Sequence, residues 1–219
     1  MVTGNATLWA VIKLEDDIRK IVHNDYFEVD LNYGITTIGK LYSNAPAAWS
    51  NIEGVVLKPV NSTLKGKVTI PSVFTYNDKE YKVIGLSSFK SNTDITHIFA
   101  ASGKTDSSLK VIEEACFYGT KLCYFDFDIF NLLCIKKDGF RSCPLQNNTF
   151  GSMLERIENG SFQNSFTEKI TTLNIPASVV FMGSNAFGYL NIGRNGTNVL
   201  NIGSPNALSK FNLSNPGSN

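Results

Sequence analysis

The 219-residue chain contains only two histidines, His23 and His97, and only four cysteines, Cys116, Cys123, Cys134 and Cys143. Neither histidine has a nucleophile or metal-ligand neighbour at a recognisable spacing. The cysteines form no CxxC pair, so the usual zinc and catalytic-triad patterns are missing. The thiols read as reduced, mostly buried small hydrophobes, with a disulfide left open because all four lie in one short stretch. Walker-type loops and GxGxxG are absent too. Charge is sparse: 18% of residues are charged and the formal net charge is +1. Neither the basic footprint of a nucleic-acid binder nor an acidic solvating tail is present. No apolar run approaches the roughly 18 residues of a membrane span. The start, Met1 to Lys13, lacks a basic opening, and its apolar run Leu8–Ile12 is shorter than the roughly 7 to 15 residues of a signal peptide. The expectation is synthesis in a cytoplasm, with incorporation into a virion open, and a cell-surface location if a leader has been removed. Six Asn-x-Ser/Thr sequons occur, at Asn5, Asn61, Asn147, Asn159, Asn195 and Asn212. A chain this rich in Asn, Ser and Thr would show about four by chance, so glycosylation is not implied.

What the chain does have is repetition. An aliphatic residue is followed five positions later by phenylalanine: Ile84 to Phe89, Ile112 to Phe117, Ile135 to Phe140, Ile157 to Phe162, and Met182 to Phe187. Leu109, Leu132, Leu154 and Val179 stand three positions before the later four. Successive phenylalanines are 28, 23, 22 and 25 residues apart, within the roughly 20 to 29 residues of a leucine-rich repeat. Between them lies a second phrase, ITHIFA from Ile95, LCYFDF from Leu122, ITTLNIP from Ile170 and TNVLNIG from Thr197. Each ends in the alternation of a half-buried strand. Ile95, Ile98 and Ala100, Leu122, Phe125 and Phe127, and Ile170, Leu173 and Ile175 are its inward positions. The matching segment LQNNTF from Leu145 puts Asn148 where an aliphatic residue belongs, so that rung should be irregular. One such unit cannot bury its apolar face alone. Stacking several makes a continuous core, with each phenylalanine resting on its neighbours.

These phrases resemble the BspA-like leucine-rich repeats of bacterial and protist surface antigens and adhesins and of phage proteins. That family's repeat reads as a strand ending in Ile-Pro, a Val-x-x-Ile-Gly segment and then Ala-Phe. LNIPASVVFMGSNAF, Leu173 to Phe187, matches it almost in full. GKVTIPSVFTYNDKEYKV, Gly66 to Val83, resembles an opening coil through Ile70-Pro71 and a Tyr76–Tyr81 hairpin. The likeness runs over about residues 55 to 213 and departs in the degenerate repeat from Ile135 to Phe150 and in the missing leader. It implies a β-rich leucine-rich-repeat solenoid, two short strands per repeat, with varied partners and no catalytic motif.

The expected organisation is therefore a small α+β N-terminal segment over residues 1–54, a solenoid of about five repeats over 55–213, and a flexible tail, 214–219. In the first segment Leu14, Ile18, Ile21 and Val22 share a helical face, with Glu15, Asp16 and Asp17 at its start. Tyr26 to Leu31 alternates as a strand. The segment is either a cap shielding the first coil or an attachment module; Trp9 and Trp49, the only tryptophans, suit both.

No catalytic or metal residue is expected, and no cofactor. Asp126 and Asp128 would project from one strand face about 6.5 to 7 Å apart. Paired carboxylates could work on a glycan, but two solvated acids on an exposed face is the plainer reading. If the chain binds something, outward ladder positions would do it. Read in register they form two columns: His97, Tyr124, Thr172 and Val199, and Phe99, Asp126, Asn174 and Asn201. Phe99 and Tyr124 are of most interest, because exposed aromatics anchor interfaces. The expected function is a non-enzymatic interaction or adhesion module for a protein or glycan surface. The alternative is a structural component, self-associating or set among virion neighbours; a glycan-active enzyme is more remote. Nucleic acid and membrane insertion are not expected.

Overall fold

The structure is a computed structural model and describes residues 23–101, 108–166, 172–189 and 199–203. The amphipathic helix expected around Leu14 to Val22, Trp9, Ile170 and the tail from Ser214 lie outside the described residues.

The chain before the repeats folds as α1 (His23–Tyr26), β1 (Phe27–Val29), β2 (Ile35–Thr37), α2 (Ile38–Leu41), α3 (Ala47–Ser50) and β3 (Glu53–Pro59). The alternation read in Tyr26 to Leu31 appears as β1, whose Phe27 and Val29 are buried and whose Glu28 is exposed. Both β1 and β2 pair antiparallel with β3. The division expected after residue 54 falls inside β3, which joins the first segment to the repeats.

The repeats alternate between two ladders. The strands in chain order are β4 (Gly66–Ile70), β5 (Val73–Tyr76), β6 (Lys79–Leu86), β7 (Ile95–Ala100), β8 (Val111–Ile112) and β9 (Tyr124–Phe125). A short helix α4 (Phe127–Phe130) follows, then β10 (Cys134–Ile135), β11 (Arg156–Ile157), β12 (Thr172–Ile175), β13 (Phe181–Met182) and β14 (Val199–Ile202). The long ladder runs β3–β6–β8–β10–β11–β13, parallel throughout. The second ladder is split into β4–β7–β9 and β12–β14, also parallel. The Tyr76–Tyr81 hairpin closes through Asn77 and Asp78, both at positive φ, as a two-residue turn with matching twist requires.

Between the ladders runs the phenylalanine stack. Phe89, Phe117, Phe140, Phe162 and Phe187 follow one another at 4.9, 5.2, 5.4 and 5.1 Å between ring centroids. The last three pairs are within 9° of parallel. Each ring is the end of one repeat's core and the floor of the next, so the spacing in sequence becomes a column in space. Full burial of such a side chain contributes about 1.5–3 kcal/mol.

The first Ile-to-Phe phrase is read differently by the structure. Leu86, not Ile84, pairs with Ile112. Pairing with β3 slips between Val55 and Val56, which leaves Ile84 as the extra residue of a β-bulge. Ile84 thereby turns to the outer face of the long ladder, away from the phenylalanines. There it joins Val56, Val111, Leu133 and Cys134 under Ile38, Leu41, Tyr42, Trp49 and Ile52.

That second cluster shows what the N-terminal segment does. It is more than an end cap: β2, α2 and α3 form a strap across the outer face of several coils. Tyr33 donates from its hydroxyl to Glu113 at 2.9 Å, and Tyr42 to Glu155 at 3.2 Å, two coils further on. Lys110, 2% exposed, lies 4.5 Å from the centre of the Trp49 ring and donates to the carbonyls of Phe130 and Asn131. Gly85 lets these layers approach closely: a Cβ there would sit 3.0 Å from Val56 Cγ2 and 3.3 Å from Leu41 Cδ1, so both side chains would have to shift by a few tenths of an ångström.

Candidate functional site

With the outer face of the long ladder covered from β3 to β10, the larger open repeat-built surface is the second ladder. Its strands alternate as expected: Val68, Ile70, Ile95, Ile98 and Phe125 point inward and are buried. The residues between them face outward. Lys67 pairs with His97 and His97 with Tyr124, while Thr69 pairs with Phe99. Adjacent strands are about 4.8 Å apart, so rings at paired positions must meet. His97 and Phe99 have centroids 5.7 Å apart, His97 and Tyr124 5.9 Å, and Phe99 and Tyr124 5.3 Å. The three rings are half-buried and inclined by only 23° to 38°, so at these distances they pack offset and face to face as one aromatic cluster.

The polar groups around the three rings are tied down. Thr96 Oγ1 lies 2.9 Å from His97 Nδ1. The Cys123 thiol donates to the Thr96 carbonyl at 3.1 Å and is 4.0 Å from both imidazole nitrogens. The thiol's nearer partner is thus the Thr96 carbonyl, not the imidazole. All four cysteines are free thiols, with Cys116, Cys134 and Cys143 buried. Burial pushes Cys134 and Cys143 up to about 12, which keeps them unreactive.

Asp126 departs from its expected outward place. The strand stops at Phe125, Asp126 takes φ −70° and ψ 61°, and the chain turns into α4. Its carboxylate folds inward, 8% exposed, and accepts from the Ala100 backbone N–H at 2.9 Å. It also accepts from the Tyr124 hydroxyl; partial burial and this bond raise the Tyr124 pKa. Asp128 is exposed in α4, so the two acids do not share a strand face. The carboxylate spacing that suggested glycosidase chemistry is lost with it.

The other predicted positions form a separate patch. Thr172 pairs with Val199 and Asn174 with Asn201, and Asn201 donates from its amide to Asn174 Oδ1 at 2.7 Å. Only the backbone placement of Val199 is described. Between the two patches lies the irregular rung expected at Asn148, and the structure gives its mechanism. Asn147 imitates a strand: its Oδ1 accepts from Phe125 N–H at 3.1 Å and its Nδ2 donates to Phe125 C=O at 2.7 Å. Asn148 donates to the Thr172 carbonyl, and a single bridge joins Thr149 to Asn174.

Lys67 and Thr69 were missed as members of the two columns, although Ile70-Pro71 marks their strand with the phrase that ends β12. A cleft of about 580 Å³ lies elsewhere, at the N-terminal end, lined by Phe27, Leu31, Val60, Phe74 and Tyr76 among others. It exposes Leu31 but gathers no catalytic or metal-binding set. Among the described residues no group of three or more His, Cys, Asp or Glu side chains is placed to hold a metal, and no helix is long and apolar enough to cross a membrane.

The family described as "BspA type Leucine rich repeat region" matches residues 66–193 in six copies. The structure of a leucine-rich repeat protein from Bacteroides ovatus is similar with a TM-score of 0.51 and 22% identity, over 68% of this chain and 37% of that one. A leucine rich cell surface protein from Faecalibacterium prausnitzii is similar with a TM-score of 0.40 and 16% identity, over 74% of this chain and 56% of that one. This chain thus spans about a third to just over half of those two proteins. Comparison with curated proteins gives no match.

Proposed function

We propose that this chain, which belongs to the BspA-type leucine-rich-repeat family, is a non-enzymatic binding module that uses the outer side of the β4–β7–β9 ladder. One observation carries the reading. The strap covers the long ladder with an apolar cluster, whereas His97, Phe99 and Tyr124 remain half-exposed on the second ladder. Rigid aromatics that lose little conformational entropy on contact supply most of the affinity in many interfaces. The partner is a macromolecular surface, protein or glycan, and the role is adhesion or docking.

The test is an array of immobilised glycans and purified surface proteins, probed with the labelled chain and with a Phe99→Ala/Tyr124→Ala variant. Circular dichroism and thermal melting establish that the variant is folded. On every surface that captures the wild type, the variant should lose at least about tenfold in affinity, the effect of roughly 1.4 kcal/mol. Equal capture by both would place the contact elsewhere on the solenoid. A wild-type chain captured by nothing would remove the binding reading altogether.

A further inference from the structure

We infer that the apolar run Leu8–Ile12 of this chain adds a strand to the outer edge of β1 and fills the cleft at the N-terminal end. The first observation is the edge itself. Val60 N–H donates to the Tyr26 carbonyl and Asp30 N–H to the Val56 carbonyl, while Glu28 stands opposite Lys58. Antiparallel strands use alternate residues for these bonds, so the backbone groups of Phe27 and Val29 turn away from β3. Neither residue's N–H or C=O has a partner among the described residues. Yet Phe27 is only 5% exposed and Val29 only 4%. Backbone groups so shielded rarely go unpaired in a folded chain, because little water is left to replace the missing bond.

The second observation is what lies beside that edge. Phe27, Val29 and Leu31 line the cleft together with Val60, Phe74 and Tyr76, and Leu31 and Val60 stay exposed. The charged side chains of the lining are engaged within the protein. Lys58 pairs with Glu28 at 3.0 Å, and Asp30 accepts from the Ser87 hydroxyl at 2.6 Å. An unpaired strand edge beside an apolar slot, with its charges already spent, fits an extended apolar segment. The segment's main chain supplies the missing bonds and its side chains fill the slot.

The third observation names the segment. Residues 1–22 lie outside the described residues, and they lead into α1, one helical turn ahead of β1. Their longest uninterrupted apolar run is Leu8–Ile12, LWAVI, in which Trp, Val and Ile favour strands. Residues 13–26, fourteen in all, separate this run from β1. That is enough for the crossover of a dozen or more residues that a parallel neighbour requires. A tethered segment also meets the edge at high effective concentration, ahead of any free partner. Occupied in this way, β1 no longer presents an edge on which a second copy could pair.

The experiment is amide exchange and backbone NMR on the full-length chain. The Phe27 and Val29 amides should exchange at least about a hundredfold more slowly than in an unfolded chain, as the Asp30 amide does through its bond to Val56. Cross-strand proton contacts should join residues 8–12 to Phe27–Val29. An isotope-filtered mixture of labelled and unlabelled protein should place those contacts within one molecule. Alternate residues of an added strand face β1, so one of Ala10→Pro and Val11→Pro must remove a bonded donor. That variant should quicken exchange at Phe27 and Val29 at least about tenfold while Asp30 keeps its protection. Free exchange of Phe27 and Val29 in the wild type overturns the proposal. So does protection that neither proline disturbs, or contacts that run to another segment or only between molecules. Should both proline variants unfold, the proton contacts of the wild type decide alone.

Discussion

The two ladders of this solenoid are built from the same repeats and treated in opposite ways. The long ladder is continuous from β3 to β13, buried on its inner side by the phenylalanine stack and on much of its outer side by the strap. The second ladder is buried on one side only, is broken at Asn147 and Asn148, and carries its aromatic side chains outward. The apolar cover on the outer side reaches from β3 to β10, while the outer residues of β11 and β13, Arg156 and Phe181, are half-exposed and stack on each other. The half-covered ladder tolerates an interruption, and its outer positions are free to serve something other than stability.

The strongest way to break this contrast is to remove the strap. A chain beginning near Glu53 keeps every phenylalanine of the stack but uncovers Ile84, Val111, Leu133 and Cys134 and loses the pairing of β1 and β2. At about 1.5–3 kcal/mol for each large side chain, the loss rivals the whole stability of a domain, about 5–15 kcal/mol. The truncated chain should aggregate or unfold, read by light scattering after size exclusion and by circular dichroism. A soluble, folded monomer would show that the strap is an attachment module and not part of the core. Among the aromatics the same contrast appears at a smaller scale. Phe140→Ala should cost about 3–5 kcal/mol in urea unfolding, since that ring is fully buried and stacked on both sides. Phe99→Ala on the second ladder should cost about 1 kcal/mol or less. Equal costs would mean that the outward rings belong to the core.

Much of this was legible in the sequence. The stack was, because five phenylalanines in phase leave few other arrangements, and so was the irregular rung, because an asparagine cannot replace an aliphatic residue in a core. The register of the first coil was not. The bulge at Ile84 places an isoleucine five residues before Phe89 by coincidence of spacing, and only pairing with β3 reveals Leu86 as the true counterpart. Asp126 was misplaced for a related reason: alternation assumes that a strand continues, and nothing in LCYFDF marks its end at Phe125. The strap was hidden because Tyr33, Tyr42 and Trp49 follow no period and take their meaning from coils far along the chain. The aromatic column was legible, and Lys67 and Thr69 could have been added from the Ile-Pro that ends their strand.

The rung at Asn147 offers a milder test. Asn147→Ala removes both side-chain bonds to the backbone of Phe125, a residue with no exposure. Leaving that buried N–H without its acceptor should cost about 1–3 kcal/mol. Faster amide exchange should appear at Phe125 and its neighbours in β9, while the long ladder keeps its protection. Exchange that quickens equally in both ladders would mean that they are one cooperative unit and not two differently built faces.

The smallest effect concerns the strap's hold on Lys110. Burial pulls this ammonium's pKa down from 10.5 to about 8, because the charged form loses water that the Trp49 ring and two carbonyls replace only in part. Below about pH 8 the group is charged in both the folded and the unfolded chain, and the full cost of burying that charge is present. Between about 8 and 10.5 the folded chain is neutral at this position while the unfolded chain still binds the proton, so stability must rise with pH. The gain should be about 1 kcal/mol by pH 9. Tyr33 and Tyr42, raised by burial and by Glu113 and Glu155, act in the opposite direction as the unfolded tyrosines ionise near pH 10. The buried thiols of Cys116, Cys134 and Cys143 do the same from about pH 8.5. The quantity to measure is therefore the wild-type change in unfolding free energy from pH 7 to pH 9 minus that of Lys110→Met. A positive difference means that the strap holds Lys110 away from water, as the packing under Trp49 requires. A difference of zero means that water reaches the ammonium, and the outer cover of the long ladder would then be looser than its apolar cluster implies.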